Sequence, residues 1–118
     1  MIFVVADANA LIAPFRRKFN IDVELARILG DYRILVPKPI LGELERLAPT
    51  NMNAKGALRL ALTKEIRPTR KAGDAAVLEL ALKAEGIVMT NDAELIAKAR
   101  KKKLKVIRMR EGCRLELM

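Results

Sequence analysis

The chain has 118 residues, of which 52% are hydrophobic and 31% are charged. This length and balance exclude a disordered chain and predict a single domain over residues 1–118 that can bury its own core. Because 23 Lys and Arg face 14 Asp and Glu, the formal charge is +9, which favours a polyanionic partner, nucleic acid before an anionic membrane.

The sequence has no histidine and only one cysteine, Cys113. These counts exclude an internal disulfide, a Cys/His zinc site and nucleophilic catalysis with a histidine base. Cys113 is expected to be a small apolar filler, and a reducing cytoplasm fits this composition. The apolar run at the N-terminus stops at Asp7, too early for a membrane span, so no membrane is expected among the partners. Chemistry must therefore use carboxylates, hydroxyls, amines or a bound metal.

Short β-branched runs predict strands, and periodic apolar stripes predict the helices between them. In chain order these are a strand at 2–5, a helix at 22–29, a strand at 33–36, helices at 39–48 and 54–63, an edge strand at 65–67, a helix at 74–85, a strand at 87–89, a helix at 92–101, a strand at 105–108 and an edge strand at 114–117. Asp22 is predicted to cap the first helix and Gly30 to end it. The alternation predicts an α/β fold, a mainly parallel sheet with helices on both faces.

Four acidic residues are predicted to meet at one edge of this sheet: Asp7, Glu43, Asp74 and Asp92. Each follows a strand directly or lies early in the next helix, and ligands bind doubly wound sheets at the carboxyl ends of the strands. On the helical wheel, Glu43 lies within about 60° of Ile40, whereas Glu45 points roughly the opposite way. The convergence makes these four carboxylates the candidate catalytic set.

Each carboxylate also has a structural interpretation when it is taken alone. Asp74 and Asp92 occupy positions where a helix favours an acidic cap or first-turn residue, and Asn91 is predicted to cap the last helix. Glu43 could serve the helix dipole. Capping does not explain why the four converge. Carboxylates brought together repel one another, so a cluster of them needs a cation, and oxygen ligands alone favour Mg²⁺ or Mn²⁺.

Four segments of the chain resemble the acidic motifs of PIN-domain nucleases, in the same order. They are VVADANALI from Val4, VPKPILGELE from Val36, GDAAVLELA from Gly73 and TND from Thr90. The details resemble most the archaeal single-domain branch related to the rRNA-processing factor Fcf1, and the domain is shared with VapC-type toxins. The resemblance covers nearly the whole chain.

The resemblance implies a three-layer Rossmann-like fold with strand order 3-2-1-4-5 and a Mg²⁺- or Mn²⁺-dependent endoribonuclease. Asp7, Glu43, Asp74 and Asp92 match the acidic quartet, which would hold the metal and carry catalysis. The supporting polar positions are matched by Asn9, Thr90 and Asn91. Asn9 is equally interpretable as a turn residue. The branch often has a second acid after the Asp of the third motif, where this chain has Ala75.

Basic residues form two clusters that could follow a phosphate backbone. They are Arg16, Arg17 and Lys18, and the run from Lys98 to Arg110, which includes Arg100, Lys101, Lys102 and Lys103. Arg67, Arg70 and Lys71 are expected to add to the same surface. The alternative for the second cluster is a solvated helix end whose cations suit the helix dipole. Aromatic residues are few, so base stacking is poorly supplied and contact should be mainly electrostatic. The preference for RNA over DNA follows only from the resemblance.

Two other functions compete with an rRNA-processing nuclease. One is a non-catalytic RNA-binding or ribosome-assembly module that keeps the fold, and the other is the toxin ribonuclease of a toxin–antitoxin pair. Besides RNA, the candidate partners are therefore an antitoxin, a ribosome-assembly protein and a second copy in a homodimer. A phosphatase or receiver built on a phosphorylated Asp7 is disfavoured, because Asn9 stands where the phosphatase would need an acid.

Overall fold

The computed structural model describes residues 1–110 and 114–118, so the role expected for Cys113 lies outside the described residues. The elements, in chain order, are β1 (Ile2–Ala6), α1 (Ala8–Arg17), α2 (Ile21–Leu29), β2 (Tyr32–Pro37), α3 (Lys38–Leu47), a 3₁₀ turn (Ala48–Thr50), α4 (Met52–Leu62), β3 (Glu65–Arg67), α5 (Gly73–Ala84), β4 (Ile87–Met89), α6 (Ala93–Lys101), β5 (Val106–Arg110) and β6 (Arg114–Leu117). None of the helices within these residues is long and apolar enough to cross a membrane.

The strands form one sheet in the order β3-β2-β1-β4-β5-β6. The first five are parallel, and β6 runs antiparallel to β5 with Met109 opposite Leu115. The predicted order 3-2-1-4-5 is confirmed, with the edge strand added beyond β5. Because β1 pairs with β2 on one side and β4 on the other, the strand order reverses there, and the switch point lies at the carboxyl ends of β1 and β4.

The centre of the core is β1. Val4, Val5 and Ala6 are all fully buried. Successive side chains of a strand point to opposite faces of the sheet, so both faces of β1 must be covered. The helices on both faces that the sequence predicts are therefore confirmed. One hydrophobic cluster contains residues of β1, β2, β4, β5 and β6, and Ile66 of β3 packs against it.

Helix α1 is not predicted from the sequence, because Pro14 lies inside it and proline normally interrupts helices. Tertiary packing outweighs the missing backbone hydrogen bond, since Leu11, Ile12 and Pro14 are all buried. The helix also packs against α4, where a Cβ on Gly56 would lie 2.6 Å from the ring of Phe15. A glycine at this position lets the two helices approach closely.

Helix caps differ from the prediction at α2. The cap is Asn20, whose Oδ1 accepts from the backbone N–H of Val23 at 3.1 Å, so the prediction of Asp22 as cap is wrong. Asp22 instead accepts hydrogen bonds from Tyr32 and Lys64. Gly30 ends the helix with a φ of 73°, as predicted. The observed cap lies two residues before the predicted one, because Asn20 and Asp22 can both accept hydrogen bonds from the N–H groups of a helix N-terminus.

Candidate active site

The candidate site lies where β1 and β4 end side by side. Asp7 follows β1 directly, and its backbone N–H donates to the carbonyl of Met89, the last residue of β4. Thr90, Asn91 and Asp92 then follow β4. The polar residues after two neighbouring strands therefore meet at the switch point of the sheet.

Asp7 is buried, with 6% of its surface exposed. Its Oδ1 accepts from the N–H of Ala10 at 2.8 Å, and its Oδ2 accepts from the hydroxyl of Thr90 at 2.5 Å. Burial raises the pKa of Asp7 and outweighs these two hydrogen bonds, and the charges of Asp74 and Asp92 raise it further. Asp7 is a buried acid held in place at the start of α1, and its pKa responds to the charges of two other carboxylates.

Thr90 joins two of the acidic positions. It is 1% exposed, and its Oγ1 donates to Asp7 and accepts from the backbone N–H of Asp92 at 3.0 Å. One hydroxyl thus fixes the end of β4 against the end of β1. The position that the resemblance assigns to a supporting residue is occupied by a side chain in direct contact with Asp7.

Asp92 caps α6 through Oδ1, which accepts from the N–H groups of Glu94 at 2.8 Å and Leu95 at 3.2 Å. The prediction that Asn91 is the cap is wrong. Asn91 Oδ1 instead accepts from the N–H of Met109 in β5 at 2.6 Å, and the helix begins one residue later than that assignment required. The capping interpretation of Asp92 is correct, yet its charge still acts on both Asp7 and Asp74.

Asp74 lies in the first turn of α5 and does not cap it. The cap position is Ala72, which makes no side-chain cap hydrogen bond. Partial burial raises the pKa of Asp74, the charge of Asp92 adds to this, and Lys98 opposes it. The sequence places Lys98 at the start of the basic run, but its action on Asp74 was not predicted. Its ion pair with Glu94 at 3.3 Å follows from their spacing of four residues on α6.

Glu43 lies on α3, which begins where β2 ends, at the same edge of the sheet. Its side chain is half-buried and Glu45 is exposed, in agreement with the helical wheel. The charges of Asp74 and Asp92 raise the pKa of Asp7, and that of Asp92 raises the pKa of Asp74, in each case after burial. These three carboxylates are electrostatically coupled, and α3 places Glu43 at the same edge of the sheet.

These carboxylates have the oxygen donors that Mg²⁺ and Mn²⁺ prefer, but they are not arranged as a closed cage. In the part of the chain that the structure describes, no three acidic or cysteine side chains lie close enough together to hold a metal ion. Mg²⁺ is usually held by one or two carboxylates, with water and substrate phosphates as its other ligands. The donor set fits such an open site.

Asn9 is exposed in the first turn of α1, so its interpretation as a turn residue is wrong. It lines a groove of about 250 Å³ together with Arg16, Arg17, Asn91 and Asp92. The groove brings the cations at the end of α1 next to the acidic site. Lys18 follows as the left-handed C-cap of α1, with a φ of 57°.

The second basic cluster spans the end of α6. Arg100 and Lys101 lie in the last turn, Lys102 is the C-cap, and Lys103 has a φ of 61°. All four are exposed. Lys102 also lines a groove between α5 and α6. The cluster has the exposure that either a phosphate-binding surface or a solvated helix end requires.

Comparison with known proteins identifies relatives over almost the whole chain. The model of a family described as a PIN like domain matches residues 4–112. Ribonuclease VapC4 of Methanocaldococcus jannaschii is 33% identical over 122 aligned positions, covering 94% of this chain and 92% of the relative. Ribonuclease VapC9 of Archaeoglobus fulgidus is 31% identical over 115 positions, covering 93% and 84%.

Solved structures share the fold at lower identity. The PIN domain endonuclease Utp24 matches with a TM-score of 0.82 at 20% identity, covering 98% of this chain and 90% of the other. VapBC2 from Rickettsia felis, bound to a DNA fragment from its promoter, matches with a TM-score of 0.67 at 14% identity, covering 91% and 98%. The sequence relatives, the matching family model and the shared fold together show that this chain belongs to the PIN-like domain family.

Proposed function

We propose that this protein is an endoribonuclease that depends on Mg²⁺ or Mn²⁺ and cleaves RNA phosphodiesters. The observation that carries the proposal is Asp7, a buried acid whose pKa is raised by burial and by the charges of Asp74 and Asp92. The names of the two VapC relatives, both ribonucleases, support the reaction. We assign the catalytic and metal-binding roles to Asp7, Glu43, Asp74 and Asp92.

The chain's own residues prepare the site for a cation. Thr90 and the N–H of Ala10 hold both oxygens of Asp7 in a fixed direction, and the helix cap fixes one oxygen of Asp92. Asp74 lies in the first turn of α5, and burial and then the charge of Asp92 raise the pKa of its carboxyl. Together they present negative charge that only a cation or protons can relieve.

A divalent cation bound there would supply an activated water for in-line attack and would stabilise the leaving oxygen of the phosphodiester. No nucleophilic side chain is needed for this reaction. Glu43, on α3, would join the site once a cation adds its attraction, since Glu43 lies at the same edge and is half-buried. Asn9, Thr90 and Asn91 are assigned supporting roles.

The RNA would contact the basic clusters on either side of the acids. Arg16 and Arg17 share a groove with Asp92, and Lys18 follows them at the end of α1. Arg100, Lys101, Lys102 and Lys103 form the second contact. Residues 1–118 are proposed to act as one domain, because one hydrophobic cluster reaches from β1 to β6. The composition, with one cysteine, fits a cytoplasmic protein.

A VapC-like role with an antitoxin partner is a second candidate for the biological setting. The two relatives above 30% identity both carry the VapC name, and they cover more than nine-tenths of this chain. The rRNA-processing role rests on the motif resemblance, since the likeness to Utp24 at 20% identity concerns the fold. Stable co-purification with the product of an adjacent gene would favour the VapC-like role, and cleavage of an rRNA precursor at one site would favour the other.

Cleavage of mixed RNAs by the purified protein, with and without Mn²⁺, tests the proposal. The wild-type protein should cleave only with the cation, and Asp7→Asn should lower the rate at least about 100-fold, because it removes a ligand rather than a residue behind one. Asp22→Asn is the matched control, since Asp22 lies at the other end of the sheet beside Tyr32 and Lys64. A wild-type protein that binds RNA and never cleaves it would instead establish the non-catalytic alternative.

A further inference from the structure

A groove of about 650 Å³ lies between α5 and α6. Its lining residues are Lys71, Ala75, Leu78, Glu79, Leu82, Lys83, Lys98 and Lys102. The α5 members recur at spacings of three and four residues, so they form one face of that helix. Lys98 and Lys102 are four residues apart and form the opposite wall. The groove is thus built from two facing helices and the segment that precedes α5.

The charge of the groove is strongly positive, with four lysines and one glutamate. The carboxylate of Glu79 already has hydrogen-bond partners within the protein, because it accepts from the N–H groups of Arg70 and Lys71 at 2.9 to 3.1 Å. These backbone hydrogen bonds, that of Arg70 first, hold the pKa of Glu79 below its ordinary value. The acid therefore fixes the segment that carries Lys71 at the rim. Lys98 is paired with Glu94 at 3.3 Å, so Lys71, Lys83 and Lys102 are the groove lysines that remain to meet an anion.

The floor of the groove is apolar but small. Leu78 is 7% exposed and Leu82 is 46% exposed, with Ala75 beside them. An amphipathic helix that docks in a groove needs several apolar anchors at successive turns. Leu82 is the one large apolar side chain of the lining that is well exposed. The combination favours a strand of nucleic acid, whose phosphates meet the lysines, over a protein helix.

The groove begins beside the candidate active site. Ala75 follows Asp74 in the chain, and the charge of Lys98 lowers the pKa of Asp74 against the effect of its burial. Lys83 comes nine residues after Asp74, which is about 13 Å further along α5 at the rise of an α-helix. The lysines therefore line a path that leads away from the acids.

We propose that this α5–α6 groove holds single-stranded RNA on one side of the phosphodiester that is cleaved, with Lys71 and Lys83 contacting the backbone beyond the site. The inference rests on the proposed ribonuclease function and adds the course of the substrate. Lys83 lies outside the basic residues that the sequence singles out, and the groove gives Lys71 a defined place along the RNA. Because the contacts are to phosphates, binding in the groove should not depend on the base sequence.

Binding of a labelled single-stranded RNA, measured at several salt concentrations without divalent cations, tests the groove. The variant Lys71→Gln/Lys83→Gln should make the slope of log K against log salt shallower by about 1.4 and weaken binding about 25-fold at 0.1 M salt, if each lysine neutralises one phosphate. Cleavage at saturating RNA should match wild type. The matched control is Lys55→Gln/Arg59→Gln, which removes the same charge from exposed positions on α4.

Equal weakening in both double variants would overturn the inference, because net charge alone would then explain it. Unchanged RNA binding by the groove variant would also overturn it, and if that variant lost binding of a Glu-rich amphipathic peptide, the groove would be a protein-docking site. Failure of the proposed ribonuclease function would appear separately, as cleavage that is absent or that does not depend on Asp7. RNA binding without divalent cations would still test the groove in that case.

Discussion

Acidic residues at the two ends of the parallel sheet lie in opposite electrostatic environments. At the amino ends of β2 and β3, Asp22 accepts from the hydroxyl of Tyr32 and from Lys64, which contacts both its oxygens at 2.9 Å. Partial burial would raise the pKa of Asp22, but these hydrogen bonds outweigh it and hold the pKa below its ordinary value. This acid is neutralised within the protein.

At the carboxyl ends of β1 and β4, the compensation available to the acids among the described residues is not sufficient. Burial and neighbouring carboxylates raise the pKa of Asp7, and the same causes raise that of Asp74 in spite of Lys98. Such unfavourable electrostatics are tolerated where they serve a function. Charge alone therefore does not mark the site: within residues 1–110 and 114–118, Lys64 forms an ion pair with Asp22, whereas no lysine or arginine does so with Asp7.

Among the residues outside the acidic set, Thr90 is the one whose side-chain hydroxyl should matter most for cleavage. Thr90→Val takes a donor from Asp7 and an acceptor from the N–H of Asp92, so cleavage should fall about 10- to 100-fold. The hydrogen bond from Thr90 lowers the pKa of Asp7 in the wild-type protein, so its loss should raise that pKa. The acidic limb of the pH–rate profile should therefore move to higher pH. Thr90→Ser should restore both the rate and the profile, and a profile that stays in place in Thr90→Val would exclude this positioning role.

The cations around the carboxyl end should contribute to binding rather than to the chemical step. Replacing Arg100, Lys101, Lys102 and Lys103 with Gln should make the salt dependence of RNA binding shallower by up to about 2.8 in slope. The loss should be similar for unrelated RNA sequences, while cleavage at saturating RNA survives. Filter binding at several salt concentrations checks this. An unchanged slope would identify the run as a solvated helix end and move the RNA path toward Arg16 and Arg17.

A smaller effect is expected at the amino end, and on stability alone. Tyr32→Phe removes the hydroxyl that donates to Asp22, so the free energy of unfolding should fall by about 1 kcal/mol at neutral pH. The folded-state pKa of Asp22 lies below the ordinary value of 3.8, so this contribution is present above that value and is lost as the pH falls through the folded-state pKa. Urea titrations at neutral and acidic pH measure the change. A loss of cleavage in this variant would contradict the separation of the two ends.

The positions of the acids could be predicted from the sequence because strands and helix starts fix the edge of a parallel sheet. Asp7, Asp74 and Asp92 follow from that reasoning, and so does the order of the strands once the family resemblance is added. Hydrogen-bond partners could not be predicted in the same way. Asn91 and Asp92 are adjacent, and either can cap a helix. Only the packing of β5 shows that Asn91 accepts from the N–H of Met109, which leaves Asp92 as the cap.

Helix α1 and the place of Glu43 show two further limits. Local preference excludes a helix through Pro14, and burial against the core forms one nonetheless. The helical wheel correctly predicts that Glu43 faces inward, but it predicts only the direction of a side chain and not its distance from other groups. The distance between the carboxylates of Glu43 and Asp7 depends on how α3 packs against the sheet, which is a tertiary property.

The melting temperature with and without Mn²⁺ tests most directly whether the acids at the carboxyl end form a cation site anchored by Asp7. At a concentration about 100 times its dissociation constant, Mn²⁺ should stabilise the wild-type protein by about 2.7 kcal/mol, which raises Tm by several degrees. Asp22→Asn should keep this rise. Asp7→Asn should lose it, while its Tm without Mn²⁺ should equal or exceed that of wild type because the buried negative charge is gone. The same rise in Asp7→Asn as in wild type would contradict the assignment.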